Sequence, residues 1–190
     1  MVRNGTTLSS LGSPAAPAFV EELAAVPDVD RLRSCIQCGA CSGACPMTAY
    51  MDFTPRRLME LTREGYRDEV LRSTSIWVCT GCYACTEACP KQIPVTDIMY
   101  GLRRAAFREV TYPKRFTTPV LAREMVNMTR RRGRGTESWL SLKLYLKTAP
   151  IQLLKYIPLG QRLLRSGRLG IRRESIRKRD ELHQLLEAAA

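Results

Sequence analysis

Eight cysteines are the residues of this chain whose type and spacing could do chemistry. They form two blocks with the same pattern, C-x2-C-x2-C-x3-C-P, and each cysteine of the second block follows its counterpart by 44 residues, as Cys79 follows Cys35. No cysteine lies outside the blocks, so the sequence predicts a duplicated unit. In chain order the cysteines are Cys35, Cys38, Cys41 and Cys45, followed by Cys79, Cys82, Cys85 and Cys89.

This spacing suits the thiolate ligands of an iron–sulfur cubane. Each two-residue step brings the next thiolate to another iron. The small residues Gly39, Ala40 and Ala84 let the backbone approach closely enough for amide N–H groups to point at the sulfides. The pattern therefore predicts two 4Fe–4S clusters as the cofactors and the transfer of single electrons as the chemistry.

The fourth cysteine of each block precedes a proline, and in two-cluster ferredoxins this cysteine ligates the other cluster. Pro46 and Pro90 bias Cys45 and Cys89 toward an extended backbone, which directs them away from their own loop. We therefore predict crossed ligation that joins both blocks into one folding unit. The predicted ligands of cluster 1 are Cys35, Cys38, Cys41 and Cys89, and those of cluster 2 are Cys79, Cys82, Cys85 and Cys45.

The competing interpretation of the cysteines is a pair of zinc sites, each held by four thiolates. Zinc sites more often combine two separated C-x2-C pairs, so the compact repeated blocks favour iron–sulfur clusters. Structural disulfides are not expected, because residues 1–17 lack the features of a secretory signal. No apolar run of about 18 residues occurs, so no membrane-spanning helix is expected either. These features predict a cytoplasmic protein, with peripheral contact at the inner face of a membrane as a further option.

The segments around the blocks carry helix signals rather than the strand alternation of small ferredoxins. A helix is predicted over residues 55–64, with Thr54 as its N-cap and Gly65 as its C-cap. After Pro94, apolar residues at helical spacing predict a second helix over residues 95–109.

The predicted fold class is mainly α. A short helix over residues 19–26, ended by Pro27, belongs to a partly flexible N-terminal arm over residues 1–27. An α-helical ferredoxin domain with two 4Fe–4S clusters follows over residues 28–110. Residues 111–190 form a basic helical extension for partner docking.

The C-terminal part differs sharply in charge from the rest. Residues 1–100 hold 9 Lys and Arg against 11 Asp and Glu, whereas residues 101–190 hold 21 against 7. Such asymmetry points to an acidic partner surface, an anionic membrane or nucleic acid, or simply to solvated helix faces. Helices are predicted there over residues 118–133, 137–148, 151–156, 159–164 and 171–190.

Helices around two such blocks resemble the C-terminal iron–sulfur half of succinate dehydrogenase-type subunits, and more closely the stand-alone C subunit of heterodisulfide reductases. The resemblance covers residues 30–110 and includes the stretch CPKQIPVTDIM at residues 89–99, followed by Leu102 and Arg103. Residues 158–168 are also similar to that family. The resemblance implies an electron-transfer protein of a larger complex, which relays single electrons from the flavoprotein A subunit to the disulfide-active B subunit.

The sequence argues against catalysis by this chain alone. Every cysteine is assigned to a cluster, so no thiol remains as a nucleophile, and no G-x-G-x-x-G pattern indicates a dinucleotide site. One alternative is an iron–sulfur subunit of a quinone-linked dehydrogenase or reductase, although cysteines for a 2Fe–2S cluster are missing. The other is a zinc-bound nucleic-acid-binding module, but no recognisable nucleic-acid-binding fold accompanies the basic extension, so we expect no nucleic-acid partner.

Overall fold

The computed structural model describes residues 19–113, 116–168 and 175–188. Within these ranges the chain is mainly helical and has no strand, so the predicted mainly α fold class is confirmed. The chain divides into two compact units, residues 1–111 and residues 112–190. Each unit is described by itself.

The first unit combines long helices with very short ones that follow the cysteine loops. Two 3-10 segments, Val29–Ser34 and Thr48–Tyr50, precede and follow the first loop. The α-helices are α1 (Phe19–Glu22), α2 (Ala40–Gly43), α3 (Pro55–Arg63), α4 (Arg67–Arg72), α5 (Ser75–Val78), α6 (Ala84–Glu87) and α7 (Val95–Glu109).

The two long helices, α3 and α7, form as predicted and supply much of the core. At the start of α3 the Thr54 hydroxyl accepts a hydrogen bond from the Arg57 N–H at 3.4 Å. Residues at helical spacing on each helix are fully buried, each worth about 1.5–3 kcal/mol for a large apolar side chain. They include Leu58 and Leu61 in α3, and Ile98, Leu102 and Ala106 in α7.

These helices bring the two cysteine blocks together. α3 packs against α2, α7 packs against α5 and α6, and α4 contacts both α3 and α7. α2 and α6, which belong to different blocks, also contact each other directly. The helical framework therefore fixes one cysteine loop relative to the other.

The predicted helix over residues 19–26 is shorter in the structure and ends at Glu22. The chain continues through turns, in which the N–H of Leu23 donates to the Val20 carbonyl at 3.1 Å. This segment is firmly packed, because Phe19, Val20, Leu23 and Val26 are all buried. Its close fit depends on Gly101 in α7, where a Cβ atom would lie only 2.7 Å from a Val26 methyl group.

Asp52 ties the segment after the first cysteine block to the turn that leads into the second. Its carboxylate accepts hydrogen bonds from the Ser73 hydroxyl at 2.7 Å and from the N–H groups of Thr74 and Ser75, both at 2.9 Å. Burial by itself would raise the pKa of Asp52. These hydrogen bonds, with one from the Ser75 hydroxyl, outweigh burial and hold the pKa below its ordinary value. The charged carboxylate thus anchors the start of α5, which ends beside Cys79.

The second unit contains α8 (Thr117–Arg132), α9 (Glu137–Thr148), α10 (Pro150–Arg165) and α11 (Arg179–Ala188). α9 packs against α8 and α10, and α11 packs against α8. Glu124 of α8 is only 5% exposed and forms ion pairs with Lys147 and, at 3.5 Å, with Lys143 of α9. The hydrogen bond from Lys147 holds the pKa of Glu124 below its ordinary value.

Two of the predicted helices in this unit, α8 and α9, are confirmed to within one residue. The two separate pieces predicted over 151–156 and 159–164 are wrong, because a single helix, α10, runs through Pro158. Proline removes one backbone hydrogen bond of a helix, and the exposed position of Pro158 lets water replace that partner. For the stretch 171–190, residues 171–174 and 189–190 lie outside the described ranges, and α11 occupies part of the remainder. Within the described ranges no helix is long and apolar enough to cross a membrane.

Candidate iron–sulfur centre

The two cysteine loops share one unusual backbone conformation. In the first loop Gln37 and Gly39 have φ angles of 57° and 85°, and at the equivalent positions of the second loop Gly81 and Tyr83 have φ angles of 69° and 63°. Each loop therefore turns twice through the left-handed region, which costs about 1–2 kcal/mol at a residue with a side chain. Repetition of this conformation at matched positions fits two loops that wrap around objects of the same shape.

A side-chain contact holds each of the two strained residues that are not glycine. Gln37 donates from Nε2 to the Sγ atom of Cys35 at 3.3 Å. Tyr83 donates its hydroxyl hydrogen to the Asp97 carboxylate of α7 at 2.9 Å, and that hydrogen bond raises the pKa of Tyr83. Gly81 has a different constraint, because a Cβ atom there would lie 2.2 Å from the Tyr100 hydroxyl.

The structure gathers the eight thiols around two cavities with four cysteines each. The first cysteine cavity has about 360 Å³ of space, part of it open to solvent, and the second has about 310 Å³. In each, three cysteines of one block meet the fourth cysteine of the other block. The first cavity is lined by Cys35, Cys38, Cys41 and Cys89, and the second by Cys45, Cys79, Cys82 and Cys85.

This grouping is the one that crossed ligation requires, although ligation itself stays a prediction. The four thiols of each set surround a space rather than a point, which suits a cubane whose ligands bind four different irons. In the part of the chain that the structure describes, no three Cys, His, Asp or Glu side chains converge closely enough to hold one metal ion directly. The four thiols that line each cavity fit the cluster implied by the spacing.

Hydrogen-bond donors lie beside three of the sulfur atoms. Besides the Gln37 amide at Cys35, the backbone N–H of Ile93 points at the Sγ atom of Cys89 at 3.5 Å. In the second cavity the Thr96 hydroxyl lies 3.4 Å from the Sγ atom of Cys85. Donors of this kind stabilise the negative charge that thiolates and clusters carry.

Burial and neighbouring thiols keep the inner cysteines protonated in the absence of metal. Burial, followed by the charges of Cys35 and Cys85, raises the pKa of Cys41 to about 11. Burial is also the main cause that raises the pKa of Cys85, with smaller contributions from Cys79 and Cys45 and an opposing hydrogen bond to Thr96. Iron must displace these protons, so cluster assembly releases protons. Because Cys41 and Cys85 belong to different sets, their interaction also shows that the two cavities are neighbours.

Each of the two long helices, α3 and α7, contributes an arginine that binds the first cysteine of the preceding loop. Arg63 of α3 donates to the Cys35 carbonyl at 2.8 Å, and Arg103 of α7 donates to the Cys79 carbonyl at 2.8 Å. The Arg103 guanidinium also lies 5.8 Å from the centre of the Trp77 ring. Sequence reasoning missed this pair, because each arginine lies 24 or more residues from its cysteine.

Comparison with known proteins agrees with this geometry. Residues 31–93 match the family model of the 4Fe–4S dicluster domain. The chain carries this dicluster domain. The match contains all eight cysteines, so iron–sulfur clusters are the cofactors of this domain.

Proteins similar to this chain include subunits of heterodisulfide reductases. The C subunit of the ferredoxin/F420H2-dependent CoB–CoM heterodisulfide reductase of Methanosarcina acetivorans is 44% identical over 78 residues, which are 41% of this chain and 48% of the relative. The iron–sulfur C subunit of the CoB–CoM heterodisulfide reductase of Methanopyrus kandleri is 33% identical over 106 residues, or 56% and 53% of the two chains. A protein of Archaeoglobus profundus that is described as similar to the heterodisulfide reductase C subunit is 34% identical over 92 residues, or 48% and 47%.

The chain thus spans about half the length of the curated relatives that it matches. The predicted resemblance to the C subunit of heterodisulfide reductases is confirmed.

Proposed function

We propose that the chain is the electron-transfer iron–sulfur subunit of a heterodisulfide reductase-like complex. The observation that supports this most strongly is the division of the eight cysteines into two sets of four, each lining its own cavity. We assign one 4Fe–4S cluster to each set. Cluster 1 is held by Cys35, Cys38, Cys41 and Cys89, and cluster 2 by Cys79, Cys82, Cys85 and Cys45.

Each cluster, when bound, accepts and releases a single electron, and the residues of this chain position the clusters for that exchange. The loops fix the thiols, and Arg63 and Arg103 hold the first cysteine of each loop through its carbonyl. The contact between α2 and α6 keeps the cavities adjacent, and short separations favour fast electron transfer. Cys38 and Cys82 are exposed, so each set has one thiol at the surface, where a partner's redox centre can approach.

The proposed partners are a donor that resembles the flavoprotein A subunit of heterodisulfide reductases and an acceptor that resembles their disulfide-active B subunit. Because all eight cysteines are assigned to clusters, we expect no disulfide reduction by this chain alone. The chain acts as a component of an oxidoreductase complex in the cytoplasm, and the partners supply the chemistry at the substrate.

The second unit is the proposed docking extension. On α10 five large aliphatic residues are exposed, and the exposed Lys155, Arg162 and Arg165 lie on the same helix. An apolar surface bordered by cations fits a partner groove with an acidic rim. It also supports a second candidate role, peripheral contact with an anionic membrane. The five exposed residues are Ile151, Leu154, Ile157, Leu159 and Leu164.

Two measurements test this function. Anaerobic analysis of the protein should give about eight irons and eight sulfides per chain, and about two zincs without sulfide would refute the assignment. Co-purification from the native source should recover the other subunits of a heterodisulfide reductase-like complex. Recovery of a quinone-linked membrane complex would favour the alternative electron-transfer role.

A further inference from the structure

The two cysteine cavities differ in the charges that border them. Arg56 and Lys91 line the first cavity, whereas no charged residue of the described ranges lines the second. Both side chains are exposed, and neither has a carboxylate partner in the part of the chain that the structure describes. Two uncompensated positive charges therefore lie at the first cavity.

The charges slightly farther away do not cancel this difference. At the first loop, Arg63 is neutralised by Glu64, whose carboxylate lies 2.9 Å from Nε of Arg63. At the second loop, Arg103 brings one positive charge, and Asp97 brings one negative charge through its hydrogen bond with Tyr83. Arg103 and Asp97 thus offset each other at the second loop, whereas Arg56 and Lys91 line the first cavity without a carboxylate partner in the described part of the chain.

Hydrogen bonding and burial add to the same contrast. Two N–H groups, from Gln37 and Ile93, point at sulfur atoms of the first cavity, whereas a single hydroxyl, that of Thr96, accompanies a sulfur of the second. Cys85 of the second cavity is buried, while the thiols of the first cavity are half-buried or exposed. N–H donors and solvent both stabilise added negative charge, so both favour reduction at the first cavity.

We infer that the cluster at the first cavity has the higher reduction potential and that Arg56 and Lys91 set this difference. Reduction adds one negative charge to a cluster, and nearby cations stabilise that charge. The inference rests on the proposed function and gives the proposed electron transfer a direction. One electron passes from the second site, which is oxidised, to the first, which is reduced, and no bond forms and no proton moves. A reduced flavin or iron–sulfur centre of one partner donates the electron to the cluster at the second cavity. An oxidised centre of another partner accepts it from the cluster at the first cavity.

The test is an anaerobic redox titration of the full chain with both clusters assembled, followed by EPR with dithionite as the reductant. We expect two midpoint potentials. Arg56→Gln and Lys91→Gln should each lower the higher midpoint potential by about 59 mV for one electron. At a fixed applied potential this is about a tenfold fall in the ratio of reduced to oxidised cluster at the first cavity. The lower midpoint should stay in place.

Two control variants separate charge from structure in this titration. Arg56→Lys keeps the charge and should keep the higher midpoint. Arg108→Gln removes the same charge from an exposed residue of α7 that lines neither cysteine cavity, and it should move neither midpoint. Iron analysis of each variant establishes that both clusters are present, and Lys91→Gln decides the matter if Arg56→Gln does not assemble.

A shift of the lower midpoint, an equal shift of both, or no shift would overturn the inference. A chain without iron and sulfide would overturn it together with the proposed function. Partner binding does not enter the titration, so the proposed role in a complex and the order of the two potentials can fail separately.

Discussion

At the scale of single residues, Cys45 and Cys89 have an importance beyond that of the other cysteines. Each lines the cavity of the opposite block, so under crossed ligation Cys45 is joined to cysteines at least 34 residues later, and Cys89 to cysteines at least 48 residues earlier. A cluster with local ligands only would stabilise one loop. A cluster with a crossed ligand also closes the chain between the blocks, and its binding free energy then contributes to the folding of the whole unit.

Crossed ligation predicts which variants resemble each other. Cys45→Ser should alter the cluster that Cys82→Ser alters, and Cys89→Ser should alter the one that Cys38→Ser alters. EPR spectra of the four variants, each reduced under the same conditions, test this pairing. If the spectrum of Cys45→Ser matched that of Cys38→Ser instead, ligation would be local and the assignment wrong.

The two loop glycines should respond differently to replacement by alanine. Both Gly39 and Gly81 have positive φ angles, so either substitution introduces left-handed strain of about 1–2 kcal/mol. At Gly39 the new Cβ atom would lie 3.7 Å from Arg56, an ordinary contact, whereas at Gly81 it would lie 2.2 Å from the Tyr100 hydroxyl.

We therefore expect Gly81→Ala to lower iron content or thermal stability more than Gly39→Ala. The double variant with Tyr100→Phe, which removes the clashing hydroxyl, should recover part of the loss. Iron analysis and thermal unfolding under anaerobic conditions measure both effects. Equal losses in the two single variants would show that backbone strain alone matters.

Asp52 should make stability depend on pH below neutrality. The pKa of its carboxyl is lower in the folded state than its ordinary value, so the ionised group stabilises the fold at neutral pH. That contribution disappears as the pH falls from about 4 through the folded pKa. Asp52→Asn should lower the free energy of unfolding by about 1–3 kcal/mol at pH 7, and the deficit should shrink in acid. Thermal unfolding from pH 7 downward measures it, and a deficit that grows in acid would contradict this account.

At the scale of elements, local signals predict the long helices and fail for the short ones. Thr54 with Pro55 marks the start of α3, and the apolar spacing after Pro94 marks α7, because caps and periodicity are local properties. α2 and α6 have four residues each, too few to show a period. These two short helices form because the turns of the cysteine loops direct the thiols into the cavities.

The remaining differences also have physical causes. The sequence predicts two pieces in place of α10 because proline usually ends a helix, but an exposed helix tolerates Pro158 where water reaches the freed carbonyl. The carboxylate of Asp52 and the arginines at the cysteine carbonyls act through contacts between residues more than 20 positions apart. Single-sequence patterns carry no record of such contacts. The spacing of the cysteines predicts two sets of four, and the structure groups the thiols around two cavities in the same way, while ligation stays a prediction.

The pairing of α8 with α9 offers a prediction at this scale. Glu124 is buried between two lysines of α9, so Glu124→Gln leaves them without their partner and should destabilise the second unit by about 1–3 kcal/mol. Glu187→Gln, at an exposed position of α11, removes the same charge and should have little effect. Chemical unfolding followed by circular dichroism measures both variants. The cluster absorption of Glu124→Gln should stay unchanged, and its loss would contradict the separation of the units.

At the scale of the whole molecule, charge and cofactor ligands lie in different parts of the chain. All eight cysteines lie between residues 35 and 89, while residues 101–190 carry 21 of the 30 Lys and Arg. Within the described ranges, the buried apolar residues of the second unit are Pro119 and Met128. So small a core gives limited stability in isolation, which supports docking of this unit on a partner as its proposed role.

Removal of the second unit should separate cluster binding from partner binding. A cut at residue 135, between α8 and α9, would separate these helices and leave Glu124 without Lys143 and Lys147. The division between residues 111 and 112 avoids this damage. A chain of residues 1–111 should keep its iron, sulfide and EPR signals, because it retains every cysteine and the helices around both cavities.

The same truncated chain should bind the proposed disulfide-active partner much more weakly than the full chain, and salt should weaken the electrostatic part of the intact contact. A pull-down at low and high salt measures partner binding by the two chains. Sedimentation of the same two chains with anionic liposomes tests the membrane alternative. Salt-sensitive sedimentation of the full chain alone would favour a membrane surface, and undiminished partner binding by residues 1–111 would exclude docking through the second unit. Loss of the clusters on truncation would mean that residues 112–190 belong to the cluster-binding fold itself, because the eight cysteines would then be insufficient without them.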